Sequence, residues 1–160
     1  FNAAKALGAN HCNCEMPHSD AQTLRIGDIA KKHKMRVGYH AHTQSTPSLW
    51  DVAMAQSEYN CINLDIGHYV AANNTDTLAF IEKNHGRITS IHLKDRKVND
   101  GPNTLWGEGD TPIKDVLLLI RKNKYKFPAT IELEYKVPAG STDVKEVAKC
   151  RDYAAAILSA

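Results

Sequence analysis

Ile88-Thr89-Ser90-Ile91-His92-Leu93-Lys94-Asp95-Arg96 is the stretch whose reading decides the fold. As a strand it alternates: Ile91 and Leu93 fall on one face, and Ser90, His92 and Lys94 on the other. An apolar face opposite an ionisable one suits a surface strand. It equally suits a barrel strand whose inner face ends in a site. The neighbouring segments choose between these, because four of them repeat the arrangement.

Those segments are His11–Met16, Arg36–His42, Cys61–His68 and Ala129–Tyr135. Their apolar sets are Cys12/Cys14, Val37/Tyr39, Ile62/Leu64/Ile66 and Ile131/Leu133. Their polar sets are Asn13/Glu15, Gly38/His40/His42, Asn63/Asp65 and Thr130/Glu132/Glu134. Helices are expected between them: Phe1 to a stop at Gly8, Ala21–His33, Pro47–Gln56, Thr75–His85, Pro112–Lys124 with Thr111 as cap, and Asp143–Leu158. Strict alternation of strand and helix implies a parallel sheet with right-handed crossovers. A parallel sheet covered on both faces has near-continuous apolar strands. These strands have one polar face, so the reading is α/β, a TIM-type (β/α) barrel with a site at the carboxyl ends of its strands. An open, doubly wound five-stranded sheet is the structural alternative. Five strand–helix units in 160 residues correspond to about strands 4 to 8 of an eight-stranded barrel of ~250 residues. Residues 1–160 are read as the C-terminal part of one such domain.

Composition narrows the function. The net charge is +2, with 20 Lys+Arg against 18 Asp+Glu. That gives no electrostatic case for nucleic acid or a membrane surface. No apolar run approaches the ~20 residues of a membrane span. The four cysteines (Cys12, Cys14, Cys61, Cys150) lack zinc-ribbon spacing and read as free thiols of a reducing compartment, hence a cytoplasmic location. Trp50, Tyr59 and Phe80 read as helix packing.

The polar ends converge on chemistry. His40, Asp65, His92 and Glu132 stand on adjacent strands and supply only nitrogen and oxygen donors, suited to Mn²⁺, Mg²⁺, Co²⁺ or Zn²⁺. We expect one divalent ion, with manganese favoured. His68, Lys94, Arg96, Glu15 and His42 are candidate substrate contacts; Glu132, Glu134 and His40 are candidate acid/base groups. Asp95 and Arg96 are positioned to pair with each other. The glycine-rich Trp106–Asp110 segment is a candidate lid or substrate wall, with a plain surface turn as the alternative.

LDIGH (Leu64–His68), SIHLKDR (Ser90–Arg96), WGEGDTPI (Trp106–Ile113) and PATIELEY (Pro128–Tyr135) resemble, in order, strands five to eight of the xylose isomerase-like barrel family. That family includes sugar isomerases and epimerases, inosose dehydratases and the endonuclease of abasic DNA sites. The resemblance implies a metal held by Asp65, His92 and Glu132, with His68 touching substrate oxygens and Arg96 near a substrate-binding position. The family's strand five usually carries a glutamate; here it reads Tyr39-His40-Ala41-His42, similar to a YHNH-like branch of isomerases. The expected function is a sugar or sugar-phosphate isomerase or epimerase working through an enediolate, on a small carbohydrate. A lyase on keto-sugars or keto-glycosides using the same site is the alternative. A non-catalytic, incomplete barrel is the second, which a partner copy or a separate N-terminal half would complete.

Overall fold

The computed structural model describes all of residues 1–160. Five strands form one parallel sheet in the order β1 (His11–Glu15), β2 (Arg36–His40), β3 (Asn60–Asp65), β4 (Ile88–Leu93) and β5 (Ala129–Ile131). Each strand pairs with the next in sequence. A doubly wound sheet needs a point where strand order reverses; a strictly sequential order has none. The strands form a half-barrel, the partial TIM-type fold expected.

The helices are α1 (Asn2–Ala6), α2 (Asp20–His33), α3 (Asp51–Gln56), α4 (Ile66–Ala71), α5 (Thr77–Asn84), α6 (Ile113–Asn123) and α7 (Asp143–Ser159). The core lies between them and one face of the sheet. Val37, Tyr39, Ile62, Leu64, Ile91 and Leu93 from the strands meet Ala30, Trp50, Ala53, Phe80, Ile81, Val116 and Leu117 from the helical side. Burying each large side chain there contributes about 1.5–3 kcal/mol. Trp50 stacks obliquely on Phe80 and donates its indole N–H to the Tyr39 carbonyl at 2.9 Å, so both aromatics belong to packing, as expected. Cys12 and Cys14 are not part of this core, although they share its face in the alternation. All four cysteines are free.

The opposite face carries a polar layer instead of a second apolar core. Asn13 and Asn63 both donate to Ser90 Oγ. Thr89 turns inward at a register irregularity between β3 and β4 and donates to Asn13 Oδ1. Gly38 makes room for it: a Cβ there would overlap Thr89 Oγ1 and Asn13 Oδ1.

Several element ends differ from the sequence reading. β3 stops at Asp65 because the Asp65 carboxylate caps α4, accepting the His68 N–H at 2.8 Å. β2 ends at His40 and β5 at Ile131, so His42, Glu132 and Glu134 stand on the loops that leave the strands. Thr111 does not cap α6, whose N-cap is Pro112; its hydroxyl accepts the Arg96 N–H at 3.0 Å. Residues 47–50 form turns ahead of α3. No helix is long and apolar enough to cross a membrane.

Candidate active site

The carboxyl ends of β2, β3 and β4 bring His40, Asp65 and His92 together, with donor atoms within 4.8 Å of one another. Strand register places them: Asp65 is paired with His92, and His40 sits one strand over, opposite Asn63. His40 Nδ1 donates to Asn63 Oδ1 at 2.8 Å, which leaves Nε2 as its free lone pair. His92 Nδ1 is engaged by Glu132 Oε2, which likewise leaves Nε2. Asp65 Oδ1 is used by the α4 cap; Oδ2 is buried and accepts no hydrogen bond. Two imidazole nitrogens and a buried carboxylate oxygen whose one charged neighbour is the Lys94 ammonium at 3.1 Å are a set a hard or borderline divalent cation could use. Glu132 stands one contact behind His92, the arrangement in which a carboxylate fixes the tautomer of a metal-binding histidine.

Lys94 is the hub of the site's charge. Its side chain is 1% exposed. Its ammonium lies 3.1 Å from Asp65 Oδ2, 3.2 Å from Glu132 Oε1 and 2.8 Å from Glu134 Oε2. A buried cation survives only with such compensation. Burial alone would lower its pKa, but Asp65, Glu134 and Glu132 together raise it. Burial likewise pushes Asp65 up, to about 7, against the pull of Lys94. Burial would also raise Glu132, but the His92 hydrogen bond, the Asp65 carboxyl and Lys94 outweigh it and hold Glu132 well below the carboxylate range. The Glu132 contact raises His92 and burial lowers His40.

His68 is held by α4 beside this hub. Its Nε2 is 2.8 Å from Lys94 Nζ and its Nδ1 is 2.8 Å from Arg96 Nη1. Burial and then the Lys94 charge depress its pKa to about 3, so it is neutral near pH 7. Its ring meets that of His42 edge-on at 4.7 Å, and His42 meets His40 at 5.0 Å. His42 is exposed at the mouth, and the three histidines form a second cluster of donor atoms within 4.8 Å. Glu15 ends β1 in register with His40 and is exposed. The structure therefore gathers nine of the ten sequence-derived site residues into one contact network, with Glu15 at its rim.

The pairing expected between Asp95 and Arg96 does not form. Arg96 turns to the Gly101 carbonyl, the Asp100 carboxylate and His68. The Asp95 carboxylate, 2% exposed, instead accepts three backbone N–H groups from the glycine-rich loop: Gly107 at 2.8 Å, Gly109 at 3.0 Å and Thr111 at 3.2 Å. Trp106 packs edge-on against Tyr153 of α7. Asn103 of the same loop reaches Glu134 at 3.4 Å. The loop is tethered beside the site through Asp95 and Asn103. Its two ties, Asp95 and Arg96, are adjacent in sequence and point to opposite tasks; only the tandem glycines hinted at a close backbone approach.

A profile of the xylose isomerase-like TIM barrel family matches residues 2–153. An inosose dehydratase from Clostridium tetani is 28% identical over 152 residues, covering 81% of this chain and 50% of its own length. The chain thus spans about half the length of that curated relative. The crystal structure of a xylose isomerase domain protein from Planctomyces limnophilus superposes with a TM-score of 0.77 at 20% identity, covering 98% of this chain and 62% of that one. A D-tagatose 3-epimerase-like protein superposes at 0.73 with 19% identity, covering 99% and 65%. These two likenesses concern the fold. With the profile match across nearly the whole half-barrel, the chain belongs to the xylose isomerase-like TIM barrel family.

Proposed function

We propose that this chain carries part of the active site of a divalent-metal-dependent sugar or sugar-phosphate isomerase or epimerase. The observation that carries the reading is the convergence of His40, Asp65 and His92 at adjacent strand ends, their donor atoms within 4.8 Å of one another. His40, Asp65 and His92 would hold the ion, with Glu132 behind His92 or joining them. A bound divalent cation draws electron density from a carbonyl and its neighbouring hydroxyl and so acidifies the C–H beside the carbonyl.

The chain's own groups do the rest. Glu132 is ionised and takes the proton, leaving an enediolate. Returning that proton to the former carbonyl carbon, with the hydroxyl proton passing from the one oxygen to the other, gives the isomer. Lys94 holds Glu132 and Glu134 in place and offsets their charge. His68, with Lys94 and Arg96 at its two ring nitrogens, borders the place of the substrate oxygens. Glu134 and His40 are the remaining acid/base candidates, while His42, Arg96 and Glu15 line the mouth. The tethered loop carrying Trp106 walls off water on the β5 side.

A second reading is favoured by two observations. Epimerisation needs proton donors on both faces of the carbon, and the β2 side presents His40 where a second carboxylate would be useful. The curated relative named above is a dehydratase. The same proton abstraction, followed by loss of the β-hydroxyl as water, makes a lyase.

One experiment separates these. The purified protein, loaded with Mg²⁺ and then Co²⁺, is incubated in D₂O with a panel of ketohexoses, their phosphates and inosose, and followed by proton NMR. Deuterium appearing beside the carbonyl with all hydroxyls retained supports the isomerase. Loss of a hydroxyl with an enone signal supports the dehydratase. Absence of both exchange and elimination across the panel overturns the proton-abstraction reading.

A further inference from the structure

The amino ends of the strands border a second cavity, at the opposite end of the half-barrel from the candidate active site. It holds about 760 Å³ and runs from His11, the first residue of β1, past Arg36 of β2 and Ile88 of β4 to Pro128 ahead of β5. Strands of this length, rising ~3.3 Å per residue, put about 15–20 Å between the two ends.

The charge on its wall is one-sided. Lys34, Arg36, Lys124 and Lys126 line it, and no Asp or Glu does. None of the four forms a salt bridge. Their one side-chain hydrogen bond runs from Arg36 Nη1 to the Gly86 carbonyl at 3.1 Å. The four come from two copies of one local pattern, Lys34-Met35-Arg36 after α2 and Lys124-Tyr125-Lys126 after α6. Each copy delivers both of its cations to this cavity.

The backbone adds a second observation. Lys34 ends α2 at φ 50° and Lys124 ends α6 at φ 54°. Left-handed backbone suits glycine, and after it asparagine and aspartate. The other non-glycine residues with positive φ are Asn73, Asn99 and Asp100, so the two lysines alone lack that allowance. A cation near a helix carboxyl end complements the helix dipole. That accounts for a lysine near each end, but not for lysine at the one position where glycine is the easier residue, nor for Arg36 and Lys126. Aromatic rings stand beside these cations. His85 stacks on Tyr125 at 4.7 Å and 9° from parallel, Tyr125 lies 5.5 Å from Phe127, and all three line the cavity.

Unpaired cations converging on one space repel one another, and a multiply charged anion offsets that repulsion. We propose that this cavity is an anion site for a small molecule bearing a polyphosphate chain, held by Lys34, Arg36, Lys124 and Lys126. An inorganic polyphosphate and a nucleoside polyphosphate both carry that chemistry. The aromatic group favours the nucleoside, whose base can stack there. The inference does not rest on the function proposed above.

The test is calorimetric titration of the metal-stripped protein at low salt with sodium tripolyphosphate and, separately, with ATP. Stripping the metal keeps an ion at the other end from capturing phosphate. Saturable binding that weakens as NaCl is added is expected. The double variant Lys34→Gly/Lys124→Gly removes two cations and relieves both left-handed positions. It is expected to melt no lower than wild type and to bind about tenfold more weakly, or worse. Lys126→Gln, which touches no positive-φ position and no side-chain bond, is expected to weaken binding as well. Tighter binding of ATP than of tripolyphosphate assigns the nucleoside source, and equal affinity assigns the phosphate chain alone; either supports the site. Failure of wild type to bind both probes overturns the proposal, and so does unchanged affinity in either variant.

Discussion

The carboxylate of Asp95 occupies the space a side chain at Gly109 would need. A Cβ on Gly109 would stand 2.5 Å from Asp95 Cγ, nearer still to Oδ1, and 2.7 Å from Thr104 Oγ1. Asp95 lies two residues past the end of β4, the strand that carries His92, so the segment leaving that strand both supplies Lys94 to the site and ties down the glycine-rich loop. Asp95→Ala leaves the amides of Gly107, Gly109 and Thr111 without their acceptor. It is expected to cost about 3 kcal/mol and to speed hydrogen exchange across residues 103–111. Gly109→Ala is expected to cost about 1–3 kcal/mol through the clash alone. Denaturant melts together with exchange mass spectrometry check both; a stable Asp95→Ala protein with an unchanged loop would remove Asp95 as its anchor.

The same strand ends predict metal behaviour. Wild type is expected to retain about one divalent ion per chain after incubation with Mn²⁺ or Co²⁺ and desalting, and Asp65→Ala and His92→Ala to retain none. Asn63→Ala is the sharper test, because of the three candidate ligands Asn63 bonds only the far nitrogen of His40, its other bond going to Ser90 Oγ. Loss of such a supporting hydrogen bond is expected to weaken metal affinity about 10–100-fold without abolishing it. Elemental analysis gives the stoichiometry, and Co²⁺ titration followed by absorbance gives the affinity. Equal binding by wild type and Asp65→Ala would place the ion elsewhere.

How much of this was legible in the sequence depends on the range of the interaction concerned. The alternation of Ile91/Leu93 with Ser90/His92/Lys94 reports the two faces of β4 directly, because the period of a strand is local. The same logic found His40, Asp65, His92 and Glu132. It overran at Ile66, where the alternation continued on paper but the Asp65 side chain had already started α4. It misjudged Arg96, which lies beyond the strand, where direction is set by a loop that folds back through Gly101 and Asp100. It gave Asp95 a partner one residue away. Its real partners are 12, 14 and 16 residues on, and no local pattern encodes them. The polar layer of Asn13, Asn63, Thr89 and Ser90 was visible only as polar residues, since its bonds cross from β1 and β3 to β4.

That layer gives its own prediction. Gly38 lies beneath it on β2, and a Cβ would overlap Thr89 Oγ1 and Asn13 Oδ1 and press on Asn63 Cβ at 3.2 Å. These groups are held by backbone and by one another and have little room to yield. Gly38→Ala is expected to cost about 2 kcal/mol or more, although alanine suits a strand no worse than glycine. A double variant, Gly38→Ala with Thr89→Ala, removes the nearest overlap and is expected to recover part of the loss. Chemical denaturation of the four proteins of that cycle measures the coupling. A stable single variant would mean that the inner face has slack which its contacts do not show.

The acid side of the stability profile follows from His68. Its folded-state pKa, about 3, lies below the ordinary value of 6.5 because burial and the Lys94 charge oppose protonation. Between those two values the unfolded chain binds a proton that the folded chain does not. The contribution of His68 is thus fully present above pH 6.5 and is lost as pH falls from there towards about 3, with a slope no steeper than about 1.4 kcal/mol per pH unit for one proton. Asp65 runs the other way: its folded pKa of about 7 stands above its ordinary 3.8, so its contribution is present below 3.8 and lost as pH rises through 7. Comparing metal-free wild type with His68→Gln isolates the first effect, since Asp65 is common to both. The melting temperatures are expected to converge as pH drops from 7.5 to 4.5, with wild type losing more. Parallel curves would mean that His68 takes up its proton in the folded protein at an ordinary pH, and Lys94 and Arg96 would then not be facing it as described.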